Sequence, residues 1–393
     1  MEKLDKILEA YCAKDGKTTK DELLGAAFVV VNKDDSPKFR PDSFTYVASM
    51  TKIITATSVM QLVEKGRVGL DDDVRPLVPQ LAEMRVLRGF VGADIPYLEE
   101  NKAPITLRQL LTHTAGLGYA PGDPDLIRWA KHVGRDNAAL RGTLESFNTP
   151  LKFTPGQGWY YGSGLDWAGQ VLEKITGQTL GDYMAEHVFG PLGMTDTSFR
   201  RGSLPHVRDR TVPTSWRDAG TGELAAGESF DPAPVNSEID SGGAGLYTTA
   251  ADHAKLLQAL LRSLAGDVGA LLKKETVGEM FRPQLTDVQK GWVDFLMGLF
   301  KDGYVPDFKK DTGMPLDYGI SGVINLEDEP GKRRKGSMKW SGYCNGHWFI
   351  DPESGIGASF FTNVLPHPDT AANNAWDALE RGVYSELLPS ISR

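Results

Sequence analysis

Ser49-Met50-Thr51-Lys52 places a hydroxyl and an amine three residues apart. At the start of a helix, residues with that separation share one face, so the amine can approach the hydroxyl. A serine hydroxyl is a poor nucleophile until a nearby base takes its proton. A lysine can be that base where desolvation or neighbouring positive charge lowers its affinity for protons. The opening of a helix also leaves backbone N–H groups unpaired, and one of them can stabilise an oxyanion. The chemistry this describes is acyl transfer through an ester on Ser49. Ser49-x-x-Lys52 is the only Ser-x-x-Lys in the chain, although about one match is expected by chance in a chain of this composition. The plain alternative is an N-cap serine beside a solvated lysine.

Two further segments carry suitable groups. Trp159-Tyr160-Tyr161-Gly162-Ser163-Gly164-Leu165-Asp166-Trp167-Ala168-Gly169 follows the turn Thr154-Pro155-Gly156 and opens a helix. It holds Tyr161 and Ser163 in a glycine-rich loop, and a tyrosine beside a cation can serve as general base or acid. Taken alone, it also fits an aromatic loop packed on a core. Lys335-Gly336-Ser337-Met338-Lys339-Trp340-Ser341-Gly342-Tyr343 leads into a pair of strands. A strand edge of small residues lets a substrate approach the backbone, and its N–H groups can complete an oxyanion hole. Taken alone, it is a strand with a glycine.

These groups need a scaffold. Gly25 to Asn32 reads as a buried strand and Met50 to Lys65 as a helix ended by Gly66. Ile105 to Leu111, capped by Thr106, and the segments 126–133, 165–176 and 180–188 read as helices, as does 250–264, capped by Thr248. Segments 318–326, 336–342, 347–350 and 357–364 read as strands, with a hairpin turn at Asp351-Pro352-Glu353-Ser354-Gly355. Helices at both ends, 1–15 and 370–388, complete the pattern. One strand, a helix-rich middle, an antiparallel meander and a closing helix make an α+β fold, provided the middle forms a lobe of its own. The expected division is a sheet lobe from 1–65 and 235–393, and a helical lobe from 66–234, with the site in the cleft between.

Composition narrows the alternatives. The net charge of −9 argues against nucleic acid as a main partner. Two distant cysteines, Cys12 and Cys344, offer neither a disulfide framework nor a metal spacing. With no signal-peptide pattern and no long apolar run, the expectation is a soluble cytoplasmic protein with no membrane partner. The seven histidines are scattered and form no zinc-hydrolase motif. No Gly-x-Ser-x-Gly elbow is present, which disfavours an α/β-hydrolase.

Ser-x-x-Lys, Tyr-x-Ser and a small-residue strand motif, in this order, resemble the serine β-lactamase and penicillin-binding-protein superfamily. Leu110-Leu111-Thr112-His113-Thr114-Ala115-Gly116-Leu117, Pro155-Gly156, and Gly242-Gly243-Ala244-Gly245-Leu246 before Thr248-Thr249-Ala250-Ala251-Asp252 are similar to further signatures of that group. The likeness spans about residues 20 to 385, and it is strongest to the esterase and transesterase branch with the fungal statin-pathway acyltransferases. It implies a β-lactamase/transpeptidase-like fold, an antiparallel sheet flanked by helices with an inserted helical lobe. It implies Ser49 as the acylated nucleophile, and Lys52 and Tyr161 sharing the proton transfers, with the base undecided between them. It implies an oxyanion hole from the backbone N–H groups of Ser49 and Tyr343, and substrate-binding roles for Ser163, Trp340, Ser341 and Gly342.

Trp340 stands where β-lactamases of this type usually carry the lysine that binds a carboxylate. That favours an ester or thioester with an apolar acyl group over a β-lactam. The implied partners are a small-molecule acyl donor, in the form of a coenzyme A thioester or an acyl-carrier protein, and an alcohol acceptor. The implied reaction uses no cofactor and no metal. A carboxylesterase using the same acyl-enzyme is the alternative, followed by a β-lactamase or D,D-peptidase, or a non-catalytic binding protein. His113 reads as structural and Cys344 as non-catalytic. The family's second strand, due between 33 and 45, is expected to be missing or very short. Segment 292–315 is either a lid or a surface excursion.

Overall fold

The computed structural model describes residues 2–12, 20–23, 26–32, 43–92, 94–135, 142–227, 230, 237–299 and 314–391. Among them are strands β1 (Ala27–Asn32), β2 (Phe44–Tyr46), β3 (Arg85–Val91), β4 (Ile95–Glu100), β5 (Ser215–Arg217), β6 (Leu224–Ala226) and β7 (Tyr247–Thr249). Towards the C-terminus follow β8 (Leu316–Tyr318), β9 (Val323–Asn325), β10 (Met338–Gly342), β11 (Gly346–Asp351), β12 (Ile356–Phe361) and β13 (Val364–Leu365). Six of these form one sheet in the order β1-β12-β11-β10-β9-β8, antiparallel throughout, as expected of the α+β reading.

The N-terminal strand therefore joins the C-terminal meander, with Ala27 opposite Phe361 and Asn32 opposite Ile356. The hairpin between β11 and β12 turns where expected. Ser354 N–H donates to Asp351 Oδ1 at 3.0 Å, and Gly355 takes a left-handed φ of 67°. Side chains alternate across the sheet. Trp348 and Ile350 enter one core cluster, whereas Phe349, Phe360 and Phe28 enter another with Trp376 of the Thr370–Gly382 helix. The Ala250–Ala265 helix covers the first face so closely that a Cβ on Gly357 would stand 3.3 Å from Leu257 Cβ.

The helix that follows Ser49 runs from Thr51 to Glu64, and every residue from Thr51 to Leu62 is buried. A helix enclosed on all sides needs small or apolar residues all round. Two of its polar members are satisfied within the helix, since Thr57 and Ser58 hydroxyls donate to the carbonyls of Ile53 and Ile54 at 2.7 and 2.9 Å, whereas Thr55 and Gln61 donate to the carbonyls of Gly242 and His187. The second element that matters for the site is the Gly164–Thr176 helix, which Gly177 ends with a left-handed φ of 74°. Thr106 caps the Leu107–Leu111 helix through a reciprocal pair with Gln109.

Several expectations change. The cap of the Ala250–Ala265 helix is Thr249, not Thr248. Thr249 accepts from Asp252 N–H, while the Thr248 hydroxyl is occupied with that of Thr197 at 2.6 Å. Segment 318–326 is not one strand but the second half of the β8–β9 hairpin. The helix-rich middle contains the β3–β4 hairpin, which the reading of that stretch did not foresee. A three-residue strand, β2, does precede Ser49, but it pairs with β7 rather than with the large sheet. Residues 33–42, where the rest of the doubtful second strand falls, and 300–313, most of the doubtful lid segment, lie outside the described residues.

Candidate active site

Ser49 sits in the turn Ala48–Met50, directly before its helix. Ala48 holds a left-handed φ of 46°, a conformation that costs an L-residue about 1–2 kcal/mol. Surrounding contacts enforce it. Thr51 hydroxyl donates to Ala48 C=O at 2.7 Å and accepts from Leu246 N–H at 3.1 Å, and Val47 N–H donates to Leu246 C=O at 3.1 Å. From the other side, β10 and β11 press in. A Cβ on Gly342 would lie 2.4 Å from Val47 O, and one on Gly346 2.7 Å from Met50 Sδ. These two glycines thus bring the end of β10, and Tyr343 after it, against the Ser49 turn.

Three expected residues converge. Tyr161 Oη lies 2.6 Å from Ser49 Oγ, and Lys52 Nζ lies 3.1 Å from the same oxygen. The ammonium also stands 4.7 Å from the Tyr161 ring centroid, within cation–π range. Trp340 Nε1–H donates to Tyr161 Oη at 3.4 Å, and the two rings are 5.1 Å apart. Ser341 and Gly342 continue β10 beside them, both buried. Ser163 is fully buried at the head of the Gly164–Thr176 helix, and its hydroxyl has no hydrogen-bond partner among the described residues. It is not one of the groups that hold Lys52. Tyr343 is half-buried, with its ring 5.6 Å from that of Phe230.

Lys52 is completely buried and has two further partners that the sequence reading missed. Its Nζ donates to Gly243 C=O at 2.6 Å and to Tyr119 Oη at 3.2 Å. Tyr119 in turn donates to Asp166 Oδ2 at 3.0 Å. Asp166 Oδ1 accepts from Ser241 Oγ at 2.5 Å and from Gly243 N–H at 3.0 Å. Burial raises the Asp166 carboxyl, and Lys52, Ser241, Gly243 and Tyr119 all oppose that rise. Burial, then the Asp166 charge, pushes the Tyr119 hydroxyl well above its ordinary value. A detectable signal existed for Asp166. It is a lone carboxylate between Leu165 and Trp167, on a helix stretch buried from Gly164 to Leu172.

His113 takes a left-handed φ of 59° and accepts from Gly162 N–H at 3.4 Å through Nδ1. Its ring lies 4.8 Å from that of Tyr161. Burial, reinforced by Lys52, holds it well below the usual histidine range, so it stays neutral and buttresses the tyrosine loop. Burial pushes the Cys344 thiol up to about 12, which leaves it un-ionised and a poor nucleophile at neutral pH. Among the described residues no group of His, Cys, Asp or Glu could hold a metal ion, and no helix is long and apolar enough to cross a membrane.

The six-stranded antiparallel sheet flanked by helices, with Ser49, Lys52 and Tyr161 meeting at the head of a buried helix, is a β-lactamase/transpeptidase-like fold. The chain belongs to the beta-lactamase family, whose profile, described as Beta-lactamase, matches residues 8–382, and it is an enzyme of that family. It is 35% identical over 332 residues to a lovastatin esterase from Penicillium rubens, a match that covers 83% of this chain and 81% of the relative. It is 33% identical over 356 residues to a monacolin J acid methylbutanoyltransferase from Aspergillus terreus, with 89% and 84% covered. The structure superposes on a mutant of simvastatin synthase (LovD) from Aspergillus terreus with a TM-score of 0.84. The sequence identity there is 29%, and the match covers 98% of this chain and 95% of that one.

Proposed function

We propose that this enzyme moves an acyl group from a thioester or activated ester, through an acyl ester on Ser49, to an alcohol on a small molecule of secondary metabolism. The observation that carries this reading is the convergence of Tyr161 Oη and Lys52 Nζ on Ser49 Oγ. Such short contacts let the serine proton leave as Oγ attacks. In the first half-reaction the Ser49 proton passes to the activating pair, Oγ bonds to the acyl carbon, and the thiol departs with a proton from that pair. In the second, the acceptor alcohol gives up its proton, its oxygen bonds to the acyl carbon, and Ser49 leaves protonated.

Backbone N–H groups of Ser49 and Tyr343 form the oxyanion hole in this reading, and Ser163, Trp340, Ser341 and Gly342 bind substrate. The donor is a coenzyme A thioester or an acyl group on a carrier protein. The site lies between a sheet lobe (1–65 and 235–393) and a helical lobe (66–234). A cytoplasmic setting belongs to the same reading and is supported by Cys12 and Cys344 both being free.

Hydrolysis of small esters by the same acyl-enzyme is the second reading, and the likeness to a lovastatin esterase favours it. The two differ only in which acceptor discharges the intermediate. Intact-mass spectrometry of the protein and of Ser49→Ala, exposed to a short-chain acyl thioester with and without alcohols, tests both. A Ser49-dependent adduct that alcohol discharges faster than water is the expected result. An adduct discharged equally by water establishes the esterase. No adduct with thioesters, simple esters or β-lactams defeats both.

A further inference from the structure

Two segments of the chain carry the same run of types: two basic residues, glycine, serine and a large apolar residue. They are Arg200-Arg201-Gly202-Ser203-Leu204 and Arg334-Lys335-Gly336-Ser337-Met338. An arginine-directed protein kinase reads such a run. Its acidic subsites pair with the cations ahead of the hydroxyl, and an apolar pocket takes the side chain after it. A short pattern needs its structural context to count, and here the two contexts differ.

Ser337 is fully buried directly before β10. Its carbonyl accepts from Asn325 N–H at 3.3 Å, Gly336 N–H donates to Asn325 C=O at 2.8 Å, and its hydroxyl donates to Arg334 C=O at 2.6 Å. A kinase reaches it only by stripping β10 from the sheet. Ser203 is exposed, as are Arg201, Gly202, Pro205 and His206. It ends the single turn Arg201–Ser203. Beyond the chain neighbours of Gly202, no atom lies within 4 Å of where a Cβ on that glycine would stand. The turn is closed by its own bonds, from Ser203 N–H and Ser203 Oγ to Arg200 C=O at 2.9 and 2.7 Å, and the hydroxyl also meets Ser198 Oγ at 3.0 Å. A surface turn held locally opens easily, which lets the segment take the extended form that a kinase cleft requires.

We propose that Ser203 is a phosphorylation site for an arginine-directed, ATP-dependent protein kinase, and that its phosphate slows acylation of Ser49 by drawing Arg200 away from Asp240. In the modification Ser203 Oγ bonds to the γ-phosphorus of ATP, the bond from that phosphorus to ADP breaks, and the hydroxyl proton passes to the kinase's base. The modification is independent of the acyl-transfer reading above; its effect on Ser49 rests on that reading.

The link runs through Arg200. A phosphoserine carries a charge of about −2 and strong acceptor oxygens. Its bond to Arg200 C=O is lost, and the guanidinium groups of its own turn become its partners. Arg200 Nη2 now stands 2.8 Å from Asp240 Oδ1 and donates to Ser237 C=O at 3.2 Å. Asp240 is buried, and its other oxygen accepts from Gly181 N–H at 2.9 Å. Without Arg200 that carboxylate is enclosed with no counter-charge. It begins the stretch Asp240-Ser241-Gly242-Gly243, in which Ser241 and Gly243 donate to Asp166 and the Gly243 carbonyl accepts from Lys52. This stretch has no slack. A Cβ on Gly242 would lie 2.5 Å from Leu165 O, and one on Gly243 2.3 Å from Asp166 Oδ2 and Tyr119 Oη. Leu204 and Val207, just after the serine, pack with Tyr46, Ala48 and Tyr343, so the segment reaches the Ser49 turn from a second side.

The test incubates the folded, full-length protein with the catalytic subunit of cyclic-AMP-dependent protein kinase and Mg-ATP, counts phosphates by intact mass and places them by peptide mass spectrometry. Phosphate is expected on Ser203, with none on Ser337 and none at position 203 of Ser203→Ala. Arg201→Ala is expected to take it up roughly tenfold more slowly. A fluorophosphonate, which labels an activated serine whatever the natural substrate, then reads Ser49. Labelling is expected to slow about three- to tenfold in the phosphorylated protein and to be unchanged by the same treatment in Ser203→Ala. Folded protein that takes no phosphate at Ser203, or takes it only after heat denaturation, overturns the site. Phosphate on Ser203 with labelling at the unmodified rate overturns the link to Ser49. Unmodified protein whose Ser49 does not label defeats the acyl-enzyme reading and the link with it, and leaves the site to be decided by the mass measurement.

Discussion

Lys52 and Arg333 are both fully enclosed cations with a buried carboxylate nearby, and they meet it in different ways. The Arg333 guanidinium contacts Glu380 and Glu329 directly, and Lys332 adds Asp377 at 2.6 Å and Glu380 at 3.4 Å. This cluster joins the turn after β9 to the Thr370–Gly382 helix, and direct contact consumes the cation. Lys52 reaches Asp166 only through Tyr119 and Gly243. The interposed groups leave one lysine donor aimed at Ser49. A buried ion pair in contact holds two elements together; a bridged one can hold a charge ready for use.

That contrast can be broken at either end. Glu380→Gln leaves Arg333 enclosed without its full counter-charge, and a loss of about 3–5 kcal/mol in denaturant unfolding is expected, with fluorophosphonate labelling per folded molecule unchanged. Gly243→Ala acts at the other end. It should slow labelling of Ser49 roughly a hundredfold, while unfolding loses about 1–3 kcal/mol from the forced shift of Tyr119 and Asp166. A Gly243→Ala protein that labels normally would show that the bridge is not needed.

The smallest effect concerns buried groups that stay neutral. Burial holds His253 at about 3 and His113 well below its ordinary 6.5. The unfolded chain takes up protons as pH falls below about 6.5, and the folded chain does not. Each histidine therefore removes about 1.4 kcal/mol of stability per pH unit on the acid side of that value, down to its folded pKa. His253→Asn should flatten the slope of unfolding stability between pH 6 and 4, roughly by half of the histidine contribution. An unchanged slope would mean that His253 does not titrate on unfolding in that range.

The parts of the site that lie in continuous segments were legible in the sequence. Ser49 and Lys52 share a helix face, and Tyr161 and Trp340 belong to motifs whose order carries meaning. The antiparallel meander was legible for a similar reason, since its strands follow one another with clear turns. Tyr119 and Asp166 were not recognised, because their work is with each other and with Gly243, across 47 and 77 residues of chain. No local pattern encodes that meeting. Thr248 was misread as a cap because two adjacent threonines offer the same hydroxyl, and only the approach of Thr197 separates them. The β3–β4 hairpin escaped notice because much of its surface is exposed, with Val91, Ile95 and Tyr97 open to solvent, so it lacks the clean alternation of a half-buried strand.

Ala48 has a bearing on how such an enzyme can be improved. Its left-handed backbone, one residue before Ser49, is relieved most simply by glycine. Stabilising changes in proteins are common away from function and costly where reactivity depends on a tense geometry. Position 48 falls in the second class. Heat resistance gained there would loosen the turn that aims Ser49, so durability and catalytic speed are set against each other in a single peptide unit.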